Sequence, residues 1–320
     1  PFTLMPYRRA WFLGSEWAAN HSLNATIPSV KGVLKRSGFA SPDLLWMSDV
    51  SQASILDLVD ASKVVFHISD DYSAFPGAPA TTQAVADSIA RRSDAVIATH
   101  PKLAEQFRSP NVPAHYIPHG IVSERFLELL PIPDEYREIP SPRVVYLGAL
   151  SEWMDWALLD SVVRDCKDIS FVLIGPMTAT SASAHQWLDK IIDRPNVHWL
   201  GVIPATDVTP YLQHSDIGII PFQLNDLVNS INPMKIYEYF ASGLPVVSTW
   251  PAWKIAGIQP SSPVCATDTA KEFAAALREF ADDSSSDDQA SRDSALEFVR
   301  QNSWKARLDK ALELLEIDSA

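Results

Sequence analysis

Apolar residues in this chain fall in short, nearly unbroken runs, separated by longer stretches in which apolar positions recur at helical spacing. In the first half the runs are 44–47, 63–68, 95–99 and 114–117, with helical patterns near 51–61, 80–92 and 101–108. In the second half they are 143–147, 171–174, 198–200, 217–220 and 245–248. Most are β-branched or aromatic throughout, as strands buried on both faces of a parallel sheet should be. Their alternation with helices predicts an α/β fold whose parallel sheets are covered on both sides. The last pattern, 304–315, predicts an amphipathic helix with Ser303 as N-cap and Leu308, Ala311, Leu312 and Leu315 on one face.

A chain of 320 residues exceeds one ordinary core and fits two domains. The segment 131–142 has four prolines in twelve residues and no periodicity, so it is the best linker candidate and sets the predicted division at 1–140 and 141–302. A doubly wound domain usually opens on a strand and a Gly-rich turn. Residues 1–17 show neither, so the first domain is expected to lack its first strand and turn.

Apolar residues make up 47% and charged residues 20%, so the 24 prolines and 11 glycines mark element ends in a globular chain. Cys166 and Cys265 stand far apart with no metal-ligand spacing and no disulfide framework, which points to a reducing cytoplasm. No apolar run approaches the ~20 residues that span a bilayer, and no signal-peptide pattern opens the chain, so a soluble protein is expected. The net charge is −13, and the acidity is concentrated after residue 140. That balance argues against nucleic acid as a partner. Lys31, Lys35 and Arg36, interleaved with Ile27, Val30, Val33 and Leu34, suit either a solvated helix face or a small basic face for anionic lipid.

The segment 232–247 carries the most chemistry. Asn232 suits an N-cap, Pro233 a first helical position, and Gly243 with Pro245 a helix stop. Free N–H groups and the helix dipole at 233–235 favour an anion, and Lys235 in the first turn adds a full positive charge against a phosphate oxygen. Glu238, three residues on, is an acceptor suited to the vicinal hydroxyls of a ribose. A capped amphipathic helix with a solvated Lys/Glu pair fits the same residues. No His/Cys cluster, Gly-x-Ser-x-Gly or Gly-x-x-x-x-Gly-Lys pattern points to zinc, a hydrolase or a P-loop.

Six segments in order sharpen this picture: 63–73 (Lys-Val-Val-Phe-His-Ile-Ser-Asp-Asp-Tyr-Ser), 94–99, 117–121 (Ile-Pro-His-Gly-Ile), 143–148 (Arg-Val-Val-Tyr-Leu-Gly), 171–175 and 234–247. Together they resemble the GT-B glycosyltransferases, in particular the family-4-type bacterial enzymes and their membrane-associated, xanthan-synthesising glucuronosyltransferase kind. The resemblance implies two Rossmann-like domains facing a cleft, with a C-terminal helix, 303–320, crossing back to the first domain. It implies a catalytic aspartate in 63–73 and a nucleotide-diphosphate helix in 234–247. There are departures. An acidic residue eight positions before the one matching Glu238 is replaced by Ser230, and an Arg and a Lys after the first strand of the second domain are replaced by Ser151-Glu152-Trp153-Met154-Asp155-Trp156. Lys235 is then left as the cation on the diphosphate, with Gly148 and the backbone of 230–234.

Sugar transfer from a nucleoside diphosphate needs a stabilised leaving group and a base for the acceptor hydroxyl. Asp70 follows a buried strand, at the sheet edge where ligands bind in open α/β folds. A partly apolar setting from Phe66, Tyr72 and Phe75 would raise its pKa toward a working range. Asp71 is the alternative base and equally suits a turn former bonding its own backbone; only the resemblance ranks Asp70 first. His67, on the opposite face of the strand from Asp70, reads as a satisfied buried histidine. Gly148, Asn229, Ser230, Asn232, Met234, Lys235 and Glu238 are the expected donor-binding residues. Trp153, Trp156, Trp250 and Trp253 suit ring stacking or plain burial.

No metal site and no cofactor are expected, because the carboxylates and the phosphate cradle belong to different domains. The expected activity is transfer from a nucleotide sugar, with UDP favoured by the resemblance, to a lipid-linked or polysaccharide acceptor. The expected location is cytoplasmic, with possible peripheral contact at the inner membrane face. A nucleotide-sugar 2-epimerase-like isomerase and a non-catalytic GT-B partner protein are the rivals.

Overall fold

The computed structural model describes residues 29–75, 77–225, 228, 231–255, 257–282 and 289–316. These form two compact units. The first holds the described residues up to Pro118 together with 231–232 and 309–316, and the second holds the rest. Ile27 and residues 1–17 lie outside the described residues.

In the first unit, helix α1 (Val30–Arg36) precedes four parallel strands, β1 (Leu44–Met47), β2 (Lys63–Ile68), β3 (Ala95–Ala98) and β4 (Ala114–Tyr116), which lie side by side in chain order. Helices α2 (Thr82–Arg91) and α3 (Pro101–Phe107) connect them. Side-chain alternation gives the sheet two apolar faces. On one, Phe66, Ile68, Val96 and Ala98 pack with Val85 and Ile89 of α2 and with Leu103 and Phe107 of α3. On the other, Val65, Ala95, Ile97 and Ile117 are covered by Ala311 and Leu315 near the C-terminus. Val30 and Leu34 of α1 lean on the first of these cores while Lys31, Lys35 and Arg36 stay exposed.

The helix anticipated over 51–61 is instead a 3₁₀ helix, Val50–Asp57, started by Asp49 accepting from Ser51 N–H at 2.8 Å.

The second unit has β5 (Arg143–Leu147), α4 (Trp156–Asp165), β6 (Ser170–Ile174), α5 (Ala182–Ile192), β7 (Val197–Gly201), α6 (Thr209–Gln213) and β8 (Ile217–Ile220). It continues with α7 (Met234–Ala241), β9 (Val246–Ser248), α8 (Ala252–Ile255), β10 (Val264–Ala266), α9 (Ala270–Asp282) and α10 (Gln289–Gln301). The parallel order is β10-β9-β8-β5-β6-β7, so strand order reverses between β5 and β8. That reversal opens a crevice outside the strand ends, where doubly wound sheets bind ligands.

The proline-rich segment packs into this second unit. Tyr136 is fully buried, its hydroxyl 2.9 Å from Ser215 Oγ. Arg143 donates to the carbonyls of Ile139 (2.8 Å), Tyr136 (3.1 Å) and His214 (3.0 Å) and lies over the Tyr136 ring. Prolines here lay down an extended strap whose acceptors one guanidinium satisfies, so missing periodicity did not mean a solvated linker. The first unit's main segment ends at Pro118. Ile121 pairs with Ser303 just beyond it, and Gly120 has no room for a Cβ, which would lie 2.9 Å from Trp304. Helix α11 (Trp304–Leu314) is capped by Ser303 Oγ, accepting from Ala306 N–H at 3.1 Å. It starts in the second unit and ends in the first.

Asp160 of α4 is 2% exposed and meets Arg194 (2.5 Å), Lys190 (3.0 Å) and Arg164 (3.4 Å). Burial alone would raise its carboxyl pKa and is the largest single effect, but the Lys190 and Arg194 contacts together outweigh it and hold the carboxyl below the usual range. A carboxylate with a depressed folded pKa stabilises the fold above its unfolded pKa and loses that contribution as pH falls through the folded value. Asp160→Asn is therefore expected to lower Tm at pH 7 by a few degrees, and the gap from wild type should close below about pH 4. Thermal melts at both pH values check this.

Candidate functional site

In the second unit the site is built at the start of α7. Ile236, Tyr237, Tyr239 and Phe240 are fully buried, and Tyr239 fixes the helix to the sheet. Its hydroxyl accepts from Leu147 N–H (2.9 Å) and lies within hydrogen-bond reach of the Val145 and Ile219 carbonyls. Gly218 is needed beneath it, since a Cβ there would sit 2.6 Å from the Tyr239 ring. With that face committed to the core, helical spacing leaves Lys235 and Glu238 half-buried on another face and Met234 exposed.

Asn232 does not cap this helix. The cap position is Pro233, which makes no side-chain cap bond. Asn232 Nδ2 instead donates to the Thr99 carbonyl at 3.0 Å, within the first unit. Among the described residues the cap position makes no side-chain bond to the first turn, and backbone N–H groups at such a start suit an anion.

Lys235 lies over Gly148, the residue that follows β5. A Cβ on Gly148 would stand 3.1 Å from Lys235 Cε and 3.2 Å from Nζ, and the φ of 133° there is one that L side chains rarely adopt. The ammonium sits 4.8 Å from the Tyr146 ring centre, 4.3 Å from that of Phe222, and 3.5 Å from the Tyr146 hydroxyl. Burial pulls its pKa down to about 7, with the Glu238 charge acting in the other direction. Burial also raises the Glu238 carboxyl, against the pull of Arg125 and Lys235.

Tyr146, Phe222 and Arg125 are the residues that sequence reasoning missed. An aromatic residue in or just after a buried strand reads as core, and Arg125 belongs to a short 3₁₀ turn (Ser123–Arg125) without pattern. Asn229 and Ser230 lie outside the described residues.

The loop 151–156, where the resemblance would have placed an Arg and a Lys, is anchored by Glu152. Its carboxylate accepts from Thr180 N–H, Ser181 N–H and Ser181 Oγ, each at 2.8 Å. Those bonds hold its pKa low. Trp156, Trp250 and Trp253 are buried packing residues, and Trp153 is half-buried beside Phe222.

In the first unit, Asp70 follows β2 at the C-terminal edge of the sheet. Burial lifts its pKa to about 6, with a Ser69 hydrogen bond acting against the shift. Tyr72, whose hydroxyl is 2.7 Å from Ser69 Oγ, stacks on Phe75. Asp71 is occupied in a turn, accepting from Ser73 N–H (3.1 Å) and Ser73 Oγ (2.5 Å). His67 Nδ1 accepts from Trp46 Nε1 at 3.3 Å, and burial lowers its pKa, so it is a satisfied, neutral core histidine. Among the described residues no group of three His, Cys, Asp or Glu is placed to hold a metal ion.

Two parallel α/β sheets, the second doubly wound with its crevice, and a final helix returning to the first unit define the GT-B fold. Solved structures agree. Sucrose-phosphate synthase from Thermosynechococcus elongatus superposes with a TM-score of 0.73 at 15% identity, over 99% of this chain and 80% of that one. Anabaena HepE, solved in complex with UDP and glucose, gives 0.65 at 18%, over 92% and 83%.

Residues 141–283 match the family described as Glycosyl transferases group 1, in agreement with the transferase expectation. A putative teichuronic acid biosynthesis glycosyltransferase of Bacillus subtilis (strain 168) is 27% identical over 168 residues, or 51% of this chain. The match spans 40% of that relative's length.

Proposed function

We propose that the protein is a glycosyltransferase that moves a sugar from a nucleoside diphosphate, in the first instance UDP, to a saccharide acceptor that is lipid-linked or part of a polysaccharide. The observation that carries this is a half-buried lysine over a positive-φ glycine, at a helix start whose cap residue, Pro233, makes no side-chain bond, beside the reversal of strand order. The group 1 match covers these residues, the UDP and glucose in the HepE structure support the nucleotide, and the teichuronic acid relative supports a polysaccharide. The finer resemblance to the xanthan glucuronosyltransferase belongs to the same proposal. So does peripheral membrane contact through Lys31, Lys35 and Arg36. No helix of the described residues is long and apolar enough to cross a membrane.

In this scheme Asp70 takes the proton of the acceptor hydroxyl. The acceptor oxygen bonds to the anomeric carbon, and the bond from that carbon to the diphosphate oxygen breaks with its electron pair going to the diphosphate. Lys235 and the backbone at 233–235 stabilise that charge, Gly148 and Met234 border the diphosphate, and Glu238 accepts from the ribose hydroxyls. No metal and no resident cofactor take part.

The test is a thermal-shift panel of UDP, GDP, ADP and CDP, since a ligand that binds only the folded state must stabilise it. UDP is expected to give the largest shift, and Glu238→Gln to weaken UDP binding on the order of tenfold. Stabilisation by none of the four would sink the donor assignment. Supplied with donor alone, the protein should leave the sugar unchanged. Conversion without acceptor would identify an isomerase.

A further inference from the structure

We propose that Tyr146 and Phe222 are positioning residues, which hold the Lys235 ammonium between two aromatic faces for delivery to the donor's diphosphate. This rests on the donor assignment above and deepens it. Among the described residues Lys235 makes no ion pair, and its recorded partners are the two rings and the Tyr146 hydroxyl. A cation prefers such a face to bare apolar packing, yet the attraction is weak beside that of a phosphate oxygen. The lysine is therefore fixed in place without being neutralised. A carboxylate in the same position would have to be displaced before the diphosphate could bind.

The cage is itself held rigid. Phe222 stacks on Trp250 (5.4 Å between centres, 20° between planes) and has Trp153 at 6.4 Å. Its backbone N–H donates to Thr249 Oγ1 at 3.1 Å, and that hydroxyl donates to the Phe222 carbonyl at 2.6 Å. It also bridges to Met154 across the strand ends. Tyr146 is fully buried and donates to the Ala149 carbonyl at 2.8 Å. Gly148 leaves the opening, because a Cβ there would crowd Nζ. With Glu152 in the loop where the resemblance would place cations, the charge on the diphosphate depends on how well this lysine is placed.

Among the described residues, the charged and titratable groups around it are Glu238 on the same helix, Tyr146 on β5, Arg125 acting on Glu238, and Tyr239, which interacts with both Tyr146 and Glu238. An ammonium this desolvated, titrating near 7, takes up a proton when an anion arrives at higher pH.

The experiment is calorimetric titration of the full chain with UDP at pH 6.5, 7.5 and 8.5, in two buffers of different ionisation enthalpy. UDP's own phosphate is fully ionised above about pH 7.5. Wild type should lose up to about tenfold in affinity between pH 7.5 and 8.5 and take up a proton on binding. Phe222→Leu, which keeps apolar bulk but removes the ring, should weaken UDP at pH 6.5 on the order of tenfold, and Phe222→Tyr should regain most of it. Tyr146→Leu serves as the second variant should Phe222→Leu fail to fold. Lys235→Arg, charged at every pH, should bind with no such pH dependence. Flat wild-type affinity with no proton uptake, or a folded ring-to-Leu variant that binds as wild type does, would overturn the cage while leaving the donor site standing. No UDP binding at any pH would instead remove the donor assignment, and the cage with it.

Discussion

Asp70→Asn is expected to bind UDP as wild type does and to lose kcat by about 10²–10⁴-fold, the usual contribution of a positioned general base. The substitution keeps shape and removes only the capacity to take a proton. Wild-type kcat/KM should rise with pH to a plateau governed by a group near 6, because Asp70 works as the carboxylate and burial places its pKa there. Above about pH 7 the loss of charge on Lys235 should bring it down again, giving a narrow bell.

The sign for stability is the reverse of the one for activity. A carboxyl raised from 3.8 to about 6 in the folded state costs stability as pH rises through that interval. At pH 7 Asp70→Asn should therefore melt slightly higher than wild type, by an amount equivalent to ~1–2 kcal/mol after allowing for partial solvation. A variant that is more stable, binds UDP and does not transfer is the expected triplet. Full turnover would remove Asp70 from the role of base, and Asp71, already engaged by Ser73, would be the next residue to replace.

Lys235→Ala is expected to cost about 10²-fold in UDP affinity, in keeping with ~1.5–3 kcal/mol for a hydrogen bond to a charged group plus the loss of the cation itself. Isothermal titration at pH 6.5, where the wild-type lysine is mostly charged, measures the full effect. At pH 8.5 the difference from wild type should shrink, because both proteins then start without the charge. A variant binding within twofold of wild type at pH 6.5 would mean that the helix start alone holds the nucleotide.

Much of this architecture was legible because buried parallel strands announce themselves. The runs at 63–68, 143–147 and 217–220 appear as β2, β5 and β8 with unchanged bounds. Helix α7 was legible for a different reason, since its stop is written in Gly243 and Pro245 and its charged residues sit at helical spacing. What could not be read depended on partners distant in sequence. Asn232 has the chemistry of a cap, and only the fold brings the Thr99 carbonyl to it. The strap at 131–142 has the composition of a linker, and only Arg143 and Ser215 make it part of a core. Strand β10 (Val264–Ala266), three residues long and only partly buried, carried too little apolar signal to be found. Tyr146 and Phe222 were invisible as site residues because burial and cation contact ask for the same side chain.

The division of the chain into units carries a consequence for its synthesis. The second unit is inserted between Pro118 and Asp309, and Val65, Ala95, Ile97 and Ile117 of the first sheet are covered by Ala311 and Leu315, which follow it. At ribosomal rates the intervening stretch takes about 10–40 s to make. For that interval the face of the first unit's sheet that Ala311 and Leu315 cover waits bare, and that unit is closed only after the second has been made. A chain stopped at Leu308 would leave that face unsealed. Nascent-chain chaperones would meet the protein there, and loss of Ala311 or Leu315 would be felt at the same face.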